Sequence, residues 1–207
     1  MTVLTQRFSN AVEYTRKAHA TQFRKGTKIP YVYHLLGVAS LVLEYGGNED
    51  QAIAGLLHDV VEDCGEEHKS PIRSEFGDTV AEIVNDCTDG TPKSRAANTT
   101  VEAKRQDWYR RKLAYLAHLR TGDVASLLVS GCDKLHNARA ILIDLEKPDM
   151  GVRVFDRFQI GRDGTLRYYA SIGVILTERN APMAGEFERV VQRIHDFAGQ
   201  PKQEQLS

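Results

Sequence analysis

The chain has 207 residues, 42% hydrophobic and 27% charged, which suits one domain with a substantial core and excludes a disordered or low-complexity chain. Its 27 Lys and Arg nearly cancel 28 Asp and Glu, so bulk charge argues against a general nucleic-acid or membrane-surface binder. Cys64, Cys87 and Cys132 are an odd count without paired spacing and suit a reducing cytoplasm; no stretch has the length of a signal-peptide core or a membrane span.

The pattern along the chain is helical. Residues 5–20 carry Phe8, Ala11, Val12 and Ala18 near helical spacing, after a candidate cap at Thr5. Gly26 and Pro30 then break the pattern and leave Arg24, Lys25 and Lys28 in a basic loop. A second helix is expected from about His34 to Tyr45, stopped by Gly46 and Gly47, and a third from Asn48 or Asp50 through Asp63. Ser70 and Pro71 read as a cap and first-turn proline, and Asp78 as the cap of a helix ending at Cys87. Residues 88–100 are polar, with Gly90, Pro92 and several hydroxyl residues, and predict either a mobile segment or a substrate lid.

Residues 101–120 predict an amphipathic helix with Trp108, Leu113 and Leu116 on its apolar side and Arg110, Arg111 and Lys112 on its wet face. Asp123 caps the next helix, which Pro148 follows; 149–165 reads as irregular and aromatic, with helices near 165–179 and 183–198 completing the chain. No segment alternates as a strand would. The expected fold is all-α: a single domain over residues 1–207 of about eight to ten helices, with a core over about 5–180 and a C-terminal helix at 183–198.

The segment Leu56–Asp63 places His58, Asp59, Glu62 and Asp63 among apolar residues. On one continuous helix with His58 at 0°, Glu62 falls at about 40°, Asp59 at about 100° and Asp63 at about 140°. Ile53, Leu56, Leu57, Val60, Val61 and Cys64 take the opposite arc, wide enough to be core. The polar arc must therefore face water, a partner charge or a metal. A divalent cation would offset the cost of burying such groups. His34 and Asp133 are the best further ligands, because each lies in a strongly apolar helix. Two imidazoles and two carboxylates suit Mn²⁺, Fe²⁺ or Mg²⁺ better than a closed structural Zn²⁺ site, and they leave positions for water and substrate. That arrangement supports hydrolysis, with Glu62 or Asp63 taking a proton and Arg24, Lys25 and Lys28 available for phosphates. His136 and Arg139 are expected to point away from Asp133, and His19, His68, His118 and His195 show no spacing to other ligand types.

His34, His58-Asp59 and Asp133 together resemble the pattern of the HD-domain phosphohydrolase superfamily. More narrowly, residues 23–39, 56–63, 76–90 and 133–139 look like the hydrolase domain of the RelA/SpoT homologues, especially the stand-alone small alarmone hydrolases. The resemblance covers about residues 5–180. It implies removal of the 3′-pyrophosphate of ppGpp or pppGpp to give GDP or GTP and pyrophosphate, usually with manganese, in the stringent response. Carried over by motif, His34, His58, Asp59 and Asp133 would bind the metal and Glu62 and Asp63 would form the catalytic pair. Arg24, Lys25 and Thr27 would hold the substrate phosphate and base, and Asn137 and Tyr168 would contact the nucleotide. The partner implied is a small-molecule nucleotide, with no nucleic acid or membrane, and the length leaves no room for a companion synthetase domain.

Leu35 stands where the family commonly has Pro after the first ligand His, and Gly131-Cys132 precede Asp133 where Leu-Ala is usual. The 88–100 stretch is a larger departure and bears on base preference. Competing readings are a hydrolase of adenine alarmones or of a nucleotide phosphomonoester such as the 2′-phosphate of NADPH, a non-catalytic nucleotide-binding regulatory module, and a structural helical adaptor.

Overall fold

A computed structural model describes residues 2–96 and 99–200. As the periodicity predicts, the fold is all-α; among the described residues the extended pairing is limited to an isolated antiparallel bridge between Phe23 and Pro30. In chain order the helices are α1 (Gln6–Ala18), α2 (Val32–Glu44), α3 (Glu49–Leu57), α4 (Val60–Cys64), α5 (Lys69–Phe76), α6 (Asp78–Cys87), α7 (Pro92–Ala96), α8 (Val101–Thr121), α9 (Val124–Glu146), α10 (Gly161–Glu178) and α11 (Ala184–Ala198). Short 3-10 turns occupy Glu66–His68 and Gly151–Arg157. Two compact units result, one of Met1–Thr100 with Gly122–Asp133 and one of Val101–Thr121 with Lys134–Ser207. Helix α9 belongs to the first through Asp133 and to the second from Lys134.

In the first unit α1 and α3 carry their expected caps. The Thr5 hydroxyl accepts from the Arg7 amide at 3.2 Å. Asn48 and Gln51 exchange side-chain and backbone hydrogen bonds at 2.9 and 3.0 Å, a capping box that satisfies two otherwise open amides at the start of α3. Helices α2 and α3 bury Leu35, Val38, Ala39 and Val42 on one side and Ile53, Ala54, Leu56 and Leu57 on the other. Their approach is close at Gly55, where a Cβ would stand 3.3 Å from the Ala39 Cα, so any side chain there would push against backbone. Helix α1 is tied to α3 by the buried Thr15 hydroxyl, which donates to the Leu56 carbonyl at 2.9 Å.

The single helix expected from Asn48 to Asp63 is divided. Helix α3 ends at Leu57, and His58 and Asp59 form a tight turn before α4 begins at Val60. The break is slight: Asp59 lies at φ −94°, ψ −5°, and the Asp63 amide still donates to the Asp59 carbonyl at 2.8 Å. Two caps also differ from expectation. Ser70 and Pro71 lie inside α5, which begins at Lys69 because the Glu66–His68 turn already feeds the chain in helical geometry. Asp78 is the first residue of α6 after Gly77, and its carboxylate pairs with Arg73 instead of capping. Within the 88–100 stretch α7 forms, introduced by reciprocal bonds between Thr91 and Ser94 at 2.9 and 3.3 Å; residues 97 and 98 of the expected lid lie outside the described residues.

In the second unit α8 buries Tyr115, Leu116 and Leu119, while Leu113, expected on the apolar side, is exposed. The wet face is also narrower than expected. Arg110 is exposed, but Arg111 is half-buried against Asp107 at 2.9 Å, and the Lys112 ammonium stands over the Tyr115 and Tyr168 rings at 5.7 and 5.4 Å. Helix α10 starts at Gly161, earlier than the pattern indicated, and the segment before it is ordered by the Gly151–Arg157 turn, which buries Val154 and Phe155. Helices α10 and α11 pack through Ile172, Ile175, Leu176, Phe187, Val190 and Ile194. Arg139 turns to Glu186 of α11 at 2.9 Å, as a salt-bridge residue.

Candidate metal centre

The tight turn after α3 is what presents two adjacent residues of one segment to a single point. His58 follows the last residue of α3 and Asp59 precedes the first of α4, while α2 contributes His34 and α9 contributes Asp133. All four fall in the first unit. The His34 Nε2 lies 3.2 Å from Asp133 Oδ1 and 3.6 Å from Asp59 Oδ2; the His58 Nε2 lies 3.1 Å from Asp59 Oδ2 and 3.5 Å from Asp133 Oδ1. Ligands at roughly 2.1 Å around one ion stand about 3.0–3.4 Å apart, so this spacing fits a shared cation. His34, His58 and Asp59 alone already offer three ligand atoms within 4.8 Å of one another. The imidazoles are buried, at 0% and 2% exposure, and Asp133 is nearly so at 5%.

The hydrogen bonding of His58 fixes which nitrogen is offered. Its Nδ1 lies 2.8 Å from the Gly55 carbonyl, which can only accept, so Nδ1 carries the hydrogen. The neutral ring then aims the Nε2 lone pair at two carboxylates, and that atom is buried without a hydrogen-bond partner among the described residues. A lone pair facing carboxylate oxygens repels them unless a positive charge intervenes. Burial disfavours the charged ring, yet the Asp59 and Asp133 carboxylates outweigh it and hold the His58 pKa well above the ordinary histidine value. Burial likewise opposes ionisation of Asp59, but His58 and then His34 hold its pKa well below the usual carboxylate range. The cluster therefore attracts a proton or a cation, and its donor set and spacing fit a metal ion.

Glu62 and Asp63 are half-buried in α4, one turn beyond His58 and Asp59 respectively. The charge of Asp63 reaches its surroundings: after burial it is the next cause raising the Cys64 thiol to about 11. Arg24, Lys25 and Thr27 share one tight turn. The Arg24 amide donates to the Ile29 carbonyl at 2.8 Å, Gly26 takes φ +72°, and the Thr27 hydroxyl donates to the Arg24 carbonyl at 2.9 Å and accepts from the Ile29 amide at 3.1 Å. Thr27 thus shapes the turn that carries the two cations. In the second unit, Asn137 lies one turn along α9 from Asp133, half-buried. Tyr168 of α10 is 6% exposed, edge-on to Trp108 at 5.5 Å, and its hydroxyl has no hydrogen-bond partner among the described residues.

Tyr31 was not singled out by the sequence. Its hydroxyl donates to Asp59 Oδ2 at 2.7 Å. Burial, then the charges of Asp59 and Asp63, hold that hydroxyl well above the ordinary tyrosine pKa, so it remains a donor. No periodicity could reveal it, because the contact is tertiary and spans 28 residues. The one available signal was the position of a Tyr between the basic turn and His34.

An all-helical scaffold that brings two buried imidazoles and two carboxylates from three separate parts of the chain to one point defines a domain built around a His/Asp cluster able to hold a cation. The chain belongs to the HD domain family, whose model matches residues 11–156. Among curated relatives, the guanosine-3′,5′-bis(diphosphate) 3′-pyrophosphohydrolase of Haemophilus influenzae is 34% identical over 128 residues, 61% of this chain and 17% of its own length. The GTP pyrophosphokinase of Myxococcus xanthus is 32% identical over 133 residues, 63% of this chain and 16% of its own. The chain thus spans less than a fifth of the curated relatives it matches. Among solved structures, a protein of Listeria monocytogenes EGD-e is 27% identical with a TM-score of 0.61, covering 79% of this chain and 94% of that one. A metazoan SpoT orthologue that hydrolyses ppGpp has the same fold, with a TM-score of 0.68 over 96% of this chain and 99% of that one at 21% identity.

Proposed function

We propose that residues 1–207 act as a single hydrolase domain, a metal-dependent 3′-pyrophosphohydrolase of guanosine alarmones that converts ppGpp or pppGpp to GDP or GTP and pyrophosphate. The observation that carries the reading is the cluster of buried His34, His58 and Asp133 with half-buried Asp59, whose imidazole and carboxylate atoms lie 3.1–3.6 Å apart. Relatives over this region carry both pyrophosphokinase and pyrophosphohydrolase names, and a His/Asp cation site beside two acids supports hydrolysis.

The mixed nitrogen and oxygen donors favour Mn²⁺, with Fe²⁺ or Mg²⁺ as substitutes. When bound, such a cation supplies activation of water and neutralisation of charge at the phosphoryl group. Glu62 would take the proton of the attacking water and Asp63 would orient it. Arg24 and Lys25 would neutralise the diphosphate from the turn that Thr27 shapes. Asn137 and Tyr168 would contact the nucleotide. One water O–H bond and the bond from phosphorus to the 3′ oxygen break; a 3′ hydroxyl and free pyrophosphate form.

The enzyme would work as a cytoplasmic protein in the stringent response. Two facts support that location: none of the three cysteines forms a disulfide, and no helix among the described residues is long and apolar enough to cross a membrane. The test is to load the protein with manganese, add ppGpp, and identify the products. Pyrophosphate and GDP are expected; orthophosphate alone, or equal turnover by Glu62→Gln, would contradict the reading.

A further inference from the structure

We propose that Tyr31 is a positioning residue that couples the basic substrate turn to the metal ligand Asp59. The substrate half of this proposal rests on the hydrolase reading; the metal half rests on geometry alone.

The Tyr31 ring is held on several sides. Its amide donates to the Gln22 carbonyl at 2.9 Å, beside the Phe23–Pro30 bridge, which closes the base of the basic turn. His19, 3% exposed, stacks on the ring at 5.1 Å with 23° between planes, and is itself fixed by Gln22 Oε1 at 2.6 Å. His34 meets the ring edge-on at 5.6 Å. With the ring so placed, its hydroxyl donates to Asp59 Oδ2 at 2.7 Å, the same oxygen that approaches both imidazoles. An outer hydrogen bond of this kind fixes the rotation of a ligating carboxylate. The Arg24 guanidinium lies 5.6 Å from the centroid of the same ring, a cation–π contact that holds the basic turn against it. One side chain therefore supports a metal ligand through its hydroxyl and a phosphate-binding cation through its face.

The two parts separate by substitution. Tyr31→Phe keeps the ring and removes the hydroxyl, whereas Tyr31→Leu removes both. Manganese affinity, read as free Mn²⁺ by electron paramagnetic resonance, is expected to weaken about 10–100-fold in both variants. At saturating manganese, KM for ppGpp is expected to stay within about twofold in Tyr31→Phe and to rise several-fold in Tyr31→Leu through the freed Arg24. Arg24→Met should raise KM with manganese affinity unchanged. Unchanged manganese affinity in Tyr31→Phe would overturn the positioning role, and equal KM in the two Tyr31 variants would overturn the coupling to Arg24. The manganese measurement needs no substrate, so it tests Tyr31 even if the wild-type protein leaves ppGpp intact, a result that would contradict the hydrolase reading alone.

Discussion

Charged groups are drawn in among apolar and aromatic side chains in both units of this protein, by different means. In the first, two imidazoles and two carboxylates converge with their polar atoms 3.1–3.6 Å apart, all buried except Asp59, which is half-buried. In the second, Lys112 and Lys134 place their ammonium groups over the Tyr115 ring at 5.7 and 5.1 Å, and both lysines remain half-buried. Aromatic faces accommodate a cation that keeps part of its hydration, at about 0.5–2 kcal/mol per contact. Opposed lone pairs and carboxylates within 4 Å have no such relief and require a positive charge among them. The first region can thus hold a proton or a cation, whereas the second settles its ammonium groups over tyrosine rings.

Substitutions that separate the two regions follow in order of size. Asp133→Asn should abolish manganese retention, measured by elemental analysis, and lower ppGpp turnover by about 10⁴-fold, because one ligand and one countercharge are lost together. Glu62→Gln should retain the metal and lower kcat by about 10³-fold, which a paired metal and rate measurement distinguishes from ligand loss.

The pH dependence sharpens the same contrast. The His58 pKa is raised in the metal-free protein, so that group stabilises the fold below its ordinary value, near about 6.5, and the contribution is lost as pH rises through its folded value. Manganese competes with that proton, and its affinity should rise up to about tenfold per pH unit across the window. Melting curves from pH 6 to 9 should therefore show a falling midpoint without metal and a growing stabilisation by manganese. The smallest effect belongs to the second unit: Tyr168→Phe should leave manganese affinity unchanged and raise KM about 2–10-fold, the value of one hydrogen bond.

Much of this was legible in the sequence because it is local. The Thr5 cap, the Asn48 and Gln51 pair and the Asp123 cap, which accepts from the Ala125 amide at 2.7 Å, depend on residues three or fewer apart. His58 and Asp59 were identifiable as charged residues in an apolar segment. The break in the helix at these two residues was not, because a slight turn with Asp59 at φ −94°, ψ −5° interrupts the helix without disturbing the apolar spacing. Lys112 looked solvated because a run of Arg110, Arg111 and Lys112 reads as a wet face, whereas two tyrosine rings draw it inward. Gly55 was likewise silent: only the 3.3 Å approach of its missing Cβ to Ala39 shows that it lets α2 and α3 bring His34 and His58 together.

The central claim, one cation held jointly by His34, His58, Asp59 and Asp133, is tested most directly by a manganese titration followed by electron paramagnetic resonance. The wild-type chain and a His34→Asn, Asp133→Asn double variant should be compared at equal folded concentration. One tightly held manganese per wild-type chain and none in the variant is the expected result. A wild-type chain that holds no manganese, or a variant that holds it as tightly, would contradict the account.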